Sequence, residues 1–373
     1  MDCSKRLCVF YNFAAHYRAP VFVEMDRAFN CNWYFGKAND DIKKMDYGLL
    51  KGSIHELDNR RIGPVTWYRG MLGLLWNKEY DTFLLFAITK DLSTWAFGLM
   101  AKFFFPKKKV YFWSHGWYGK ESRKEAWVKK QMFKLPNGGI FLYGNQARSL
   151  MIQEGLDADK LFVVYNSLDY DKQLKVRHNL KSTSVYTRHF GNANPNIVFI
   201  GRLTKVKRFD LIIDAIILLK KRGMLVNLTL IGDGVERNNI EKKVEEGEIQ
   251  SQVWFYGACY DEGINAELIY NADLCVSPGN IGLTAMHVMM FGCPAITNND
   301  FAHQMPEFEA IKVGKTGDFF QAGDSEALAN CIHLWFEKHI DDREQVRQDC
   351  YKEIDSTWNP HNQIRILREV INE

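Results

Sequence analysis

The sequence has almost no excess charge of either sign. Its 373 residues include 48 Lys and Arg against 45 Asp and Glu, which gives a formal net charge of +3. A dedicated nucleic-acid-binding protein is usually strongly basic, so this balance disfavours that class. Charged residues make up 25% and apolar residues 46% of the chain. These fractions are ordinary for a soluble globular protein and exclude a disordered, collagenous or coiled-coil chain.

The sequence also lacks long apolar runs and paired cysteines. The most apolar stretch, residues 94–105, is too short to span a bilayer and contains Lys102. The N-terminal residues have neither the apolar core nor the cleavage site of a signal peptide. None of the eight cysteines forms a Cys-x-x-Cys pair, which favours a reducing compartment. We therefore expect a cytoplasmic protein that is soluble or peripheral to a membrane.

Short apolar runs alternate with longer helical patterns in both halves of the chain. Their continuous hydrophobicity is typical of strands buried on both faces, and the intervening segments are long enough for crossover helices, as at residues 210–222. The pattern predicts two doubly wound α/β units. The runs are residues 7–13, 83–88, 110–113, 140–143, 161–165, 197–201, 225–232, 253–257, 274–277 and 294–297.

A polar stretch over residues 172–195 interrupts this alternation, and we place the domain boundary there. The expected domains are residues 1–175 and 190–354. In the tail, residues 355–373, Pro360 is expected to open a last helix. Residues 1–180 hold 28 basic and 18 acidic residues, whereas the remainder holds 20 and 27. The first half therefore carries a positive electrostatic field, which affects the partners that it attracts and not its fold.

The segment GRLTKVK follows a predicted strand in the second half. Arg202 and Lys207 would leave the carboxyl end of that strand together, at the sheet edge where α/β proteins bind ligands. Two fixed cations at this edge suit a diphosphate. The alternative is a solvated loop whose charges flank the start of a helix.

Two glycine turns follow later strands of the same half. Gly232 lies in LIGDG, and Gly279, Asn280, Gly282 and Leu283 lead from a strand into a helix. Glycines allow close backbone approach, and a helix start presents N–H groups to an anion. Each of these glycines could instead serve only to pack a helix.

Together the three segments, GRLTKVK, LIGDG and SPGNIGLTAMHVMMFG, resemble the donor-nucleotide domain of a family 4 glycosyltransferase of the GT-B fold. The resemblance spans roughly residues 197–334 and includes VWFYG, YNADLCVSP and KTGDFF. It implies two Rossmann-like domains facing across a cleft, with the donor on the second, the acceptor on the first, and the tail packed back on the first. The donor positions that it implies are Gly201, Arg202, Lys207, Gly232, Gly279, Asn280, Gly282, Leu283, His287 and Glu309.

The sequence departs from this family at its acidic pair, a Glu-x7-Glu motif that grips the donor sugar and the ribose. The two positions are Gly279 and His287 here. A neutral imidazole at His287 could bond a ribose diol, although a core histidine between methionines is the alternative. Glu309 falls on another acidic position of the family and Glu307 lies nearby, so either could return a carboxylate to the donor site or be structural.

The first half matches the family more loosely. His115 follows a predicted strand, where we expect it to act in catalysis or substrate contact unless it is simply a core histidine. The loop at residues 12–20 occupies the first strand–helix turn, so His16, Tyr17 and Arg18 are candidate acceptor contacts; a plain surface loop is the alternative.

Two further features are ambiguous. Asp169-Tyr170-Asp171 matches the DxD tripeptide with which glycosyltransferases of another fold hold a divalent cation, but at a domain boundary we favour an acidic turn and no metal site. Residues 102–134 contain ten Lys or Arg interleaved with aromatics. This composition suits an anionic membrane surface, or else a solvated helix face.

The combined expectation is a retaining, metal-independent glycosyltransferase without a cofactor. It would move a sugar from a UDP- or GDP-sugar to a glycan or lipid-linked acceptor, at the inner face of the cytoplasmic membrane, in bacterial capsule or lipopolysaccharide assembly. Two alternatives stay open: another GT-B enzyme, such as a sugar-nucleotide epimerase or a phosphorylase, and a non-catalytic nucleotide- or sugar-binding protein.

Overall fold

The structure, a computed structural model, describes residues 6–37, 42–339 and 341–372. The chain forms two compact units, the first made of Met1–Asp169 with Asn359–Glu373 and the second of Tyr170–Trp358. The polar stretch over residues 172–195 belongs to the second unit, where it contributes two helices. The chain therefore passes between the units twice.

The first unit is built on a seven-stranded sheet. Its elements are β1 (Arg6–Tyr11), α1 (Ala19–Ala28), β2 (Cys31–Gly36), β3 (Ile54–Leu57), β4 (Asn59–Ile62), β5 (Val65–Tyr68), β6 (Tyr80–Phe86), α2 (Leu92–Phe104), β7 (Lys109–Ser114), α3 (Arg123–Phe133), β8 (Gly139–Leu142), α4 (Asn145–Gln153) and β9 (Leu161–Val163). The sheet order is β3-β2-β1-β6-β7-β8-β9 with all strands parallel, while β4 and β5 pair separately as an antiparallel hairpin.

Strand β1 shows why these apolar runs are continuous. Leu7 and Val9 are buried in the core on one face of the sheet, and Cys8 and Phe10 are buried in the core on the other. Successive residues of a strand point to opposite faces, so a strand covered on both sides needs apolar residues throughout.

The second unit contains α5 (Tyr170–Arg177), α6 (Val185–Phe190), β10 (Asn196–Ile200), α7 (Phe209–Lys221), β11 (Asn227–Ile231), α8 (Arg237–Glu246), β12 (Val253–Gly257), α9 (Glu262–Asn271), β13 (Leu274–Ser277), α10 (Thr284–Met290), β14 (Ala295–Asn298), β15 (Gly317–Phe320), α11 (Ser325–Lys338) and α12 (Arg343–Ser356). Its six parallel strands are ordered β12-β11-β10-β13-β14-β15. The predicted helix over residues 210–222 is confirmed as α7, which buries the side chains of Leu211, Ile212, Ala215, Ile216 and Leu219.

The last helix, α13 (Pro360–Asn372), begins at Pro360 as predicted and belongs to the first unit. Ile364, Leu367 and Ile371 lie in the same core as Leu7 of β1. Gln363, fully buried, accepts a hydrogen bond from the Ser167 hydroxyl at 2.6 Å. The tail therefore completes one face of the first sheet.

Seven cysteines are free thiols, and Cys3 lies outside the described residues. Within the three described ranges, we find no helix whose length and apolar content would let it cross a bilayer.

Candidate functional site

The topology of the second sheet defines where a ligand site can form. If its six strands are numbered 1 to 6 along the chain, they lie side by side in the order 3-2-1-4-5-6. The direction of winding therefore reverses between the neighbours β10 and β13. At such a switch point the loops leave in opposite directions and open a crevice at the carboxyl ends of the strands. The loop after β10 carries Arg202 and Lys207, and the loop after β13 carries residues 278–283.

Glycines bring the backbones of these loops into direct contact. A Cβ on Gly279 would lie 1.9 Å from the carbonyl oxygen of Val206, and one on Gly232 would lie 1.9 Å from that of Gly201. No side chain fits at either position. The Gly279 N–H also donates to the Lys207 carbonyl at 3.1 Å. Three predicted segments are thereby assembled at one sheet edge, after β10, β11 and β13.

The two predicted cations occupy different surroundings at this edge. Arg202 is exposed, and its guanidinium makes no hydrogen bond or ion pair with other described residues. Lys207 is partly buried in the 3₁₀ turn Lys205–Lys207, and its Nζ donates to the Asn280 carbonyl at 2.5 Å. Burial lowers the pKa of Lys207, the charge of Arg202 lowers it further, and Cys275 and Glu307 oppose the shift. Lys207 therefore also fixes the loop that follows β13.

The loop after β13 is held by polar side chains of its neighbours. Thr297 Oγ1 and Asn298 Nδ2 both donate to the Gly279 carbonyl, at 3.1 and 3.0 Å. Gln304 donates to the same oxygen at 3.1 Å and accepts from the Ile281 N–H at 3.0 Å. No described residue accepts a hydrogen bond from the N–H of Gly282 or Leu283. The loop is thus rigid and presents N–H donors beside Lys207.

His287 lies one turn inside α10 and is paired with a carboxylate that sequence reasoning missed. Its Nε2 lies 3.1 Å from Glu262 Oε1 on α9, and the same oxygen accepts from Gln173 Nε2 of α5 at 2.7 Å. Burial raises the pKa of Glu262, but its bonds to His287 and Gln173 outweigh burial and lower that pKa overall. Only the position of Glu262 at a helix start after VWFYG hinted at such a role.

The two acidic candidates near KTGDFF differ in burial. Glu307 is 2% exposed, and its charge acts on Lys207. Glu309 is half-buried, and its backbone carbonyl accepts from Lys312 Nζ at 2.7 Å. Glu307 therefore interacts electrostatically with Lys207.

The first sheet has its own switch point between β1 and β6, where the loop at residues 12–18 leaves. His16 and Tyr17 are exposed there, and His16 Nδ1 lies 3.2 Å from the Lys43 carbonyl. Arg18 is buried and donates to Asn166 Oδ1 at 3.0 Å and to the Tyr143 hydroxyl. Of the three candidate acceptor contacts, two are at the surface and the third is inside the unit.

His115 follows β7 and lies in an aromatic pocket shared with Arg18. Its ring centroid is 4.7 Å from that of Tyr143, over which the Arg18 guanidinium also sits at 4.7 Å. Burial, then the charges of Arg18 and Lys129, lower the pKa of His115 from 6.5 to about 4. The imidazole is therefore neutral at pH 7, and the structure brings two first-half candidates together.

The loop after His115 is organised by a partly buried ion pair that the sequence did not reveal. Lys129 Nζ lies 2.6 Å from Glu121 Oε1 and also donates to the Gly116 carbonyl at 2.9 Å. The Glu121 carboxylate accepts from the N–H groups of Tyr118 and Gly119, both at 2.9 Å. This network fixes the segment that carries His115.

The tripeptide Asp169-Tyr170-Asp171 spans the point at which the chain enters the second unit. Asp169 is exposed, and Asp171 lies in the first turn of α5. Among residues 6–37, 42–339 and 341–372, no three His, Cys, Asp or Glu side chains are grouped to hold a metal ion.

The two units, each a parallel sheet wound in both directions, have the GT-B fold. The structure is similar to that of Anabaena HepE in complex with UDP, with a TM-score of 0.72 at 14% identity, over 98% of this chain and 99% of the other. It is also similar to the lipopolysaccharide outer core galactosyltransferase WaaB, with a TM-score of 0.71 at 14% identity, over 98% and 99% of the two chains.

Comparison of the sequence gives one match to a family model and one relative. Residues 189–353, all in the second unit, match the family model of glycosyl transferases group 1. A protein of Klebsiella pneumoniae, described as an uncharacterized 41.2 kDa protein in the cps region, is 27% identical over 195 residues. That match spans about half the length of each protein.

Proposed function

We propose that the protein is a retaining glycosyltransferase that takes a UDP- or GDP-sugar as donor. The acceptor would be a glycan or a lipid-linked oligosaccharide, and the setting bacterial surface-polysaccharide assembly at the inner face of the cytoplasmic membrane. The family match over the second unit, the structural neighbour in complex with UDP and the relative from a cps region support this proposal.

One observation carries the proposal. At the switch point of the second sheet, the loop after β10 carries the exposed Arg202 and Lys207, and the loop after β13, which Lys207 bonds at Asn280, carries the N–H groups of Gly282 and Leu283. A diphosphate is the ligand that such an edge suits, because it carries several charged oxygens and the loops are already rigid.

The same groups would serve the reaction as well as binding. When the sugar departs, negative charge accumulates on the diphosphate oxygens. Fixed donors aimed at that charge stabilise the transition state without having to reorganise. Arg202 and Lys207 would thus supply the charge that a divalent cation supplies elsewhere, and no metal or other cofactor is required by the proposal.

Donor recognition would rest on the pair His287 and Glu262. A ribose diol can be bonded by one nitrogen of an imidazole together with a carboxylate. With its Nε2 held by Glu262, the His287 imidazole would offer only Nδ1, and so a single hydrogen bond, to the diol. Glu307 or Glu309 would contribute the remaining carboxylate. In the first unit, His115 and the residues His16, Tyr17 and Arg18 would contact the acceptor.

The proposal is tested by calorimetric titration with UDP and with GDP, followed by a transfer assay with the matching sugar nucleotide. We expect one nucleotide to bind, and transfer to persist in EDTA. Absence of binding by both nucleotides would overturn the donor assignment. Loss of transfer in EDTA that Mg²⁺ or Mn²⁺ restores would overturn the metal-free mechanism.

The missing acidic pair favours a second candidate, a nucleotide or sugar binder without catalysis. Gly279 cannot be replaced by a carboxylate, since the Val206 carbonyl fills the space of its side chain. A radiolabelled donor incubated with and without acceptor separates the possibilities. Label moving to the acceptor shows a transferase, label released or isomerised without acceptor shows another GT-B enzyme, and unchanged donor that still binds shows a binder.

A further inference from the structure

Helix α2 is apolar on its outer face as well as its inner face. Phe97, Gly98 and Ala101 are buried toward the sheet, as expected for a helix of this unit. Leu92, Leu99 and Phe103, spaced seven and four residues apart, form a stripe on the opposite side. All three are exposed, Phe103 at 69%, and Phe104 at the end of the helix is 74% exposed.

The neighbouring helix extends this apolar surface. The C-terminal ends of α2 and α3 lie side by side, since Lys102 Nζ donates to the Lys134 carbonyl at 3.2 Å. Trp127 of α3 points outward and is 64% exposed. Trp76 is also exposed and packs edge-on against Phe105, just after α2. We call this surface the α2–α3 face; its exposed apolar residues are Trp76, Leu92, Leu99, Phe103, Phe104 and Trp127.

Basic residues are interleaved with the apolar ones along residues 102–134. Of the ten cations in residues 102–134, Lys108 donates inward to the carbonyls of Asn77 and Tyr80, and Lys129 pairs with Glu121. The other eight are Lys102, Lys107, Lys109, Lys120, Arg123, Lys124, Lys130 and Lys134. The two acidic residues of this range are both engaged, Glu121 with Lys129 and Glu125 in the cap of α3. The segment that carries most of the face therefore has a net positive charge.

We propose that the α2–α3 face docks on an anionic lipid bilayer. The aromatic and leucine side chains would enter the boundary between headgroups and acyl chains, while the lysine and arginine heads remain at the level of the lipid phosphates. This inference deepens the proposed function, because it identifies the surface through which a lipid-linked acceptor would be approached.

Charge complementarity selects this occupant over a second copy of the chain. A symmetric dimer through the same face would place eight cations against eight cations, which costs free energy at every contact. An anionic bilayer pairs those cations instead and also receives the apolar stripe.

The stripe begins at the edge of the first sheet that carries the proposed acceptor contacts His16 and Tyr17. Leu92 directly follows Asp91 in the loop after β6, and β6 adjoins β1 in the sheet. The stripe thus begins at the carboxyl edge from which His16 and Tyr17 project. A bilayer along α2 would run beside that edge, so an acceptor could reach it without leaving the membrane.

The test is co-sedimentation of the full chain with vesicles in the absence of sugar nucleotide. We expect binding to phosphatidylcholine mixed with phosphatidylglycerol at low salt, release as salt rises, and little binding to phosphatidylcholine alone. Phe103→Ser with Phe104→Ser should weaken partitioning at least tenfold. Lys124→Glu with Lys134→Glu should weaken it about 25-fold or more, since each charge near the surface contributes about fivefold.

Matched controls alter equally exposed positions elsewhere. Ile62→Ser, in the β4–β5 hairpin, and Lys221→Glu with Lys242→Glu, in the second unit, should leave partitioning unchanged. Equal binding to neutral vesicles, equal loss in the controls, or no binding at any salt would overturn the proposal. So would a concentration-dependent dimer, seen by ultracentrifugation, that only the phenylalanine variant abolishes. Vesicle binding needs no donor, so its failure would leave the transferase proposal intact.

Discussion

At the residue scale, Arg202 and Lys207 carry the same charge but perform different tasks. Arg202 is exposed, whereas Lys207 also bonds the Asn280 carbonyl and so supports the loop after β13. We predict that Arg202→Ala lowers turnover at least about a hundredfold with unchanged stability. Lys207→Ala should lower turnover as much and also reduce the melting temperature.

The control for both variants is Lys205→Ala, which removes an exposed cation from the same 3₁₀ turn. It should retain nearly full turnover in the transfer assay. Normal rates in Arg202→Ala would place the diphosphate elsewhere.

His287 and Glu262 are predicted to act together on the nucleotide. His287→Ala should weaken binding of the nucleoside diphosphate by about 1–3 kcal/mol, the cost of leaving a polar partner unbonded. Glu262→Gln should weaken binding less, because its amide oxygen can still accept from Gln173. Calorimetry measures both, with His333→Ala on α11 as the control. A His287 variant that melts early but binds normally would identify a purely structural histidine.

His115 gives a pH dependence with a defined sign. Its pKa is about 4 in the folded protein and 6.5 when unperturbed. Between these pH values the unfolded chain binds more protons, so wild type should lose stability relative to His115→Gln as pH falls from 6.5 to 4. Above pH 6.5 the difference should be constant. Urea unfolding of both proteins across this range measures it; parallel curves would show that His115 is accessible to protonation when folded.

At the element scale, the backbone contact between two loops is the feature most sensitive to substitution. The methyl group of Gly279→Ala would have to displace the turn Lys205–Lys207 from the loop after β13. We predict a loss of about 1–3 kcal/mol in stability from overpacking, and weaker nucleotide binding. Gly73→Ala is the control, because nothing lies within 4 Å of its added carbon. Equal behaviour of the two variants in unfolding and calorimetry would contradict the rigid-loop description.

Most strands of the two sheets are predicted by a continuous run of apolar residues. All ten predicted strands are present, since parallel strands covered on both faces need apolar residues throughout. Five of the described strands were not predicted. Strands β3, β4, β5 and β15 have partly exposed residues, whereas β2 is buried throughout but its apolar run is interrupted by the polar Asn32.

The sequence likewise predicted one part of the candidate site and missed another. Arg202, Lys207 and Gly279 follow strands directly, so topology alone brings them to one edge. The bonds of Glu262 to His287 and of Glu121 to Lys129 depend on how helices pack, which no spacing along the chain encodes.

At the scale of the whole molecule, the first unit depends on its most distant segment. Leu367 of α13 is fully buried in the core that contains Leu7. We predict that Leu367→Ala costs about 2–5 kcal/mol. Hydrogen exchange should show the loosening in the first unit, and the exposed Leu334→Ala on α11 should have little effect. Equal loosening of the second unit would mean that the two units unfold as one.

The return of α13 to the first unit also sets an order for folding during translation. The second unit is one continuous segment, so everything that it needs has been synthesised once Trp358 is made. The first unit must wait for α13, although its own strands are made first. At about 5–20 residues per second, the delay between Asp169 and Asn359 lasts roughly 10–40 s. During that time the face of the first sheet that α13 covers is open, so this nascent chain presents a natural substrate for a ribosome-associated chaperone.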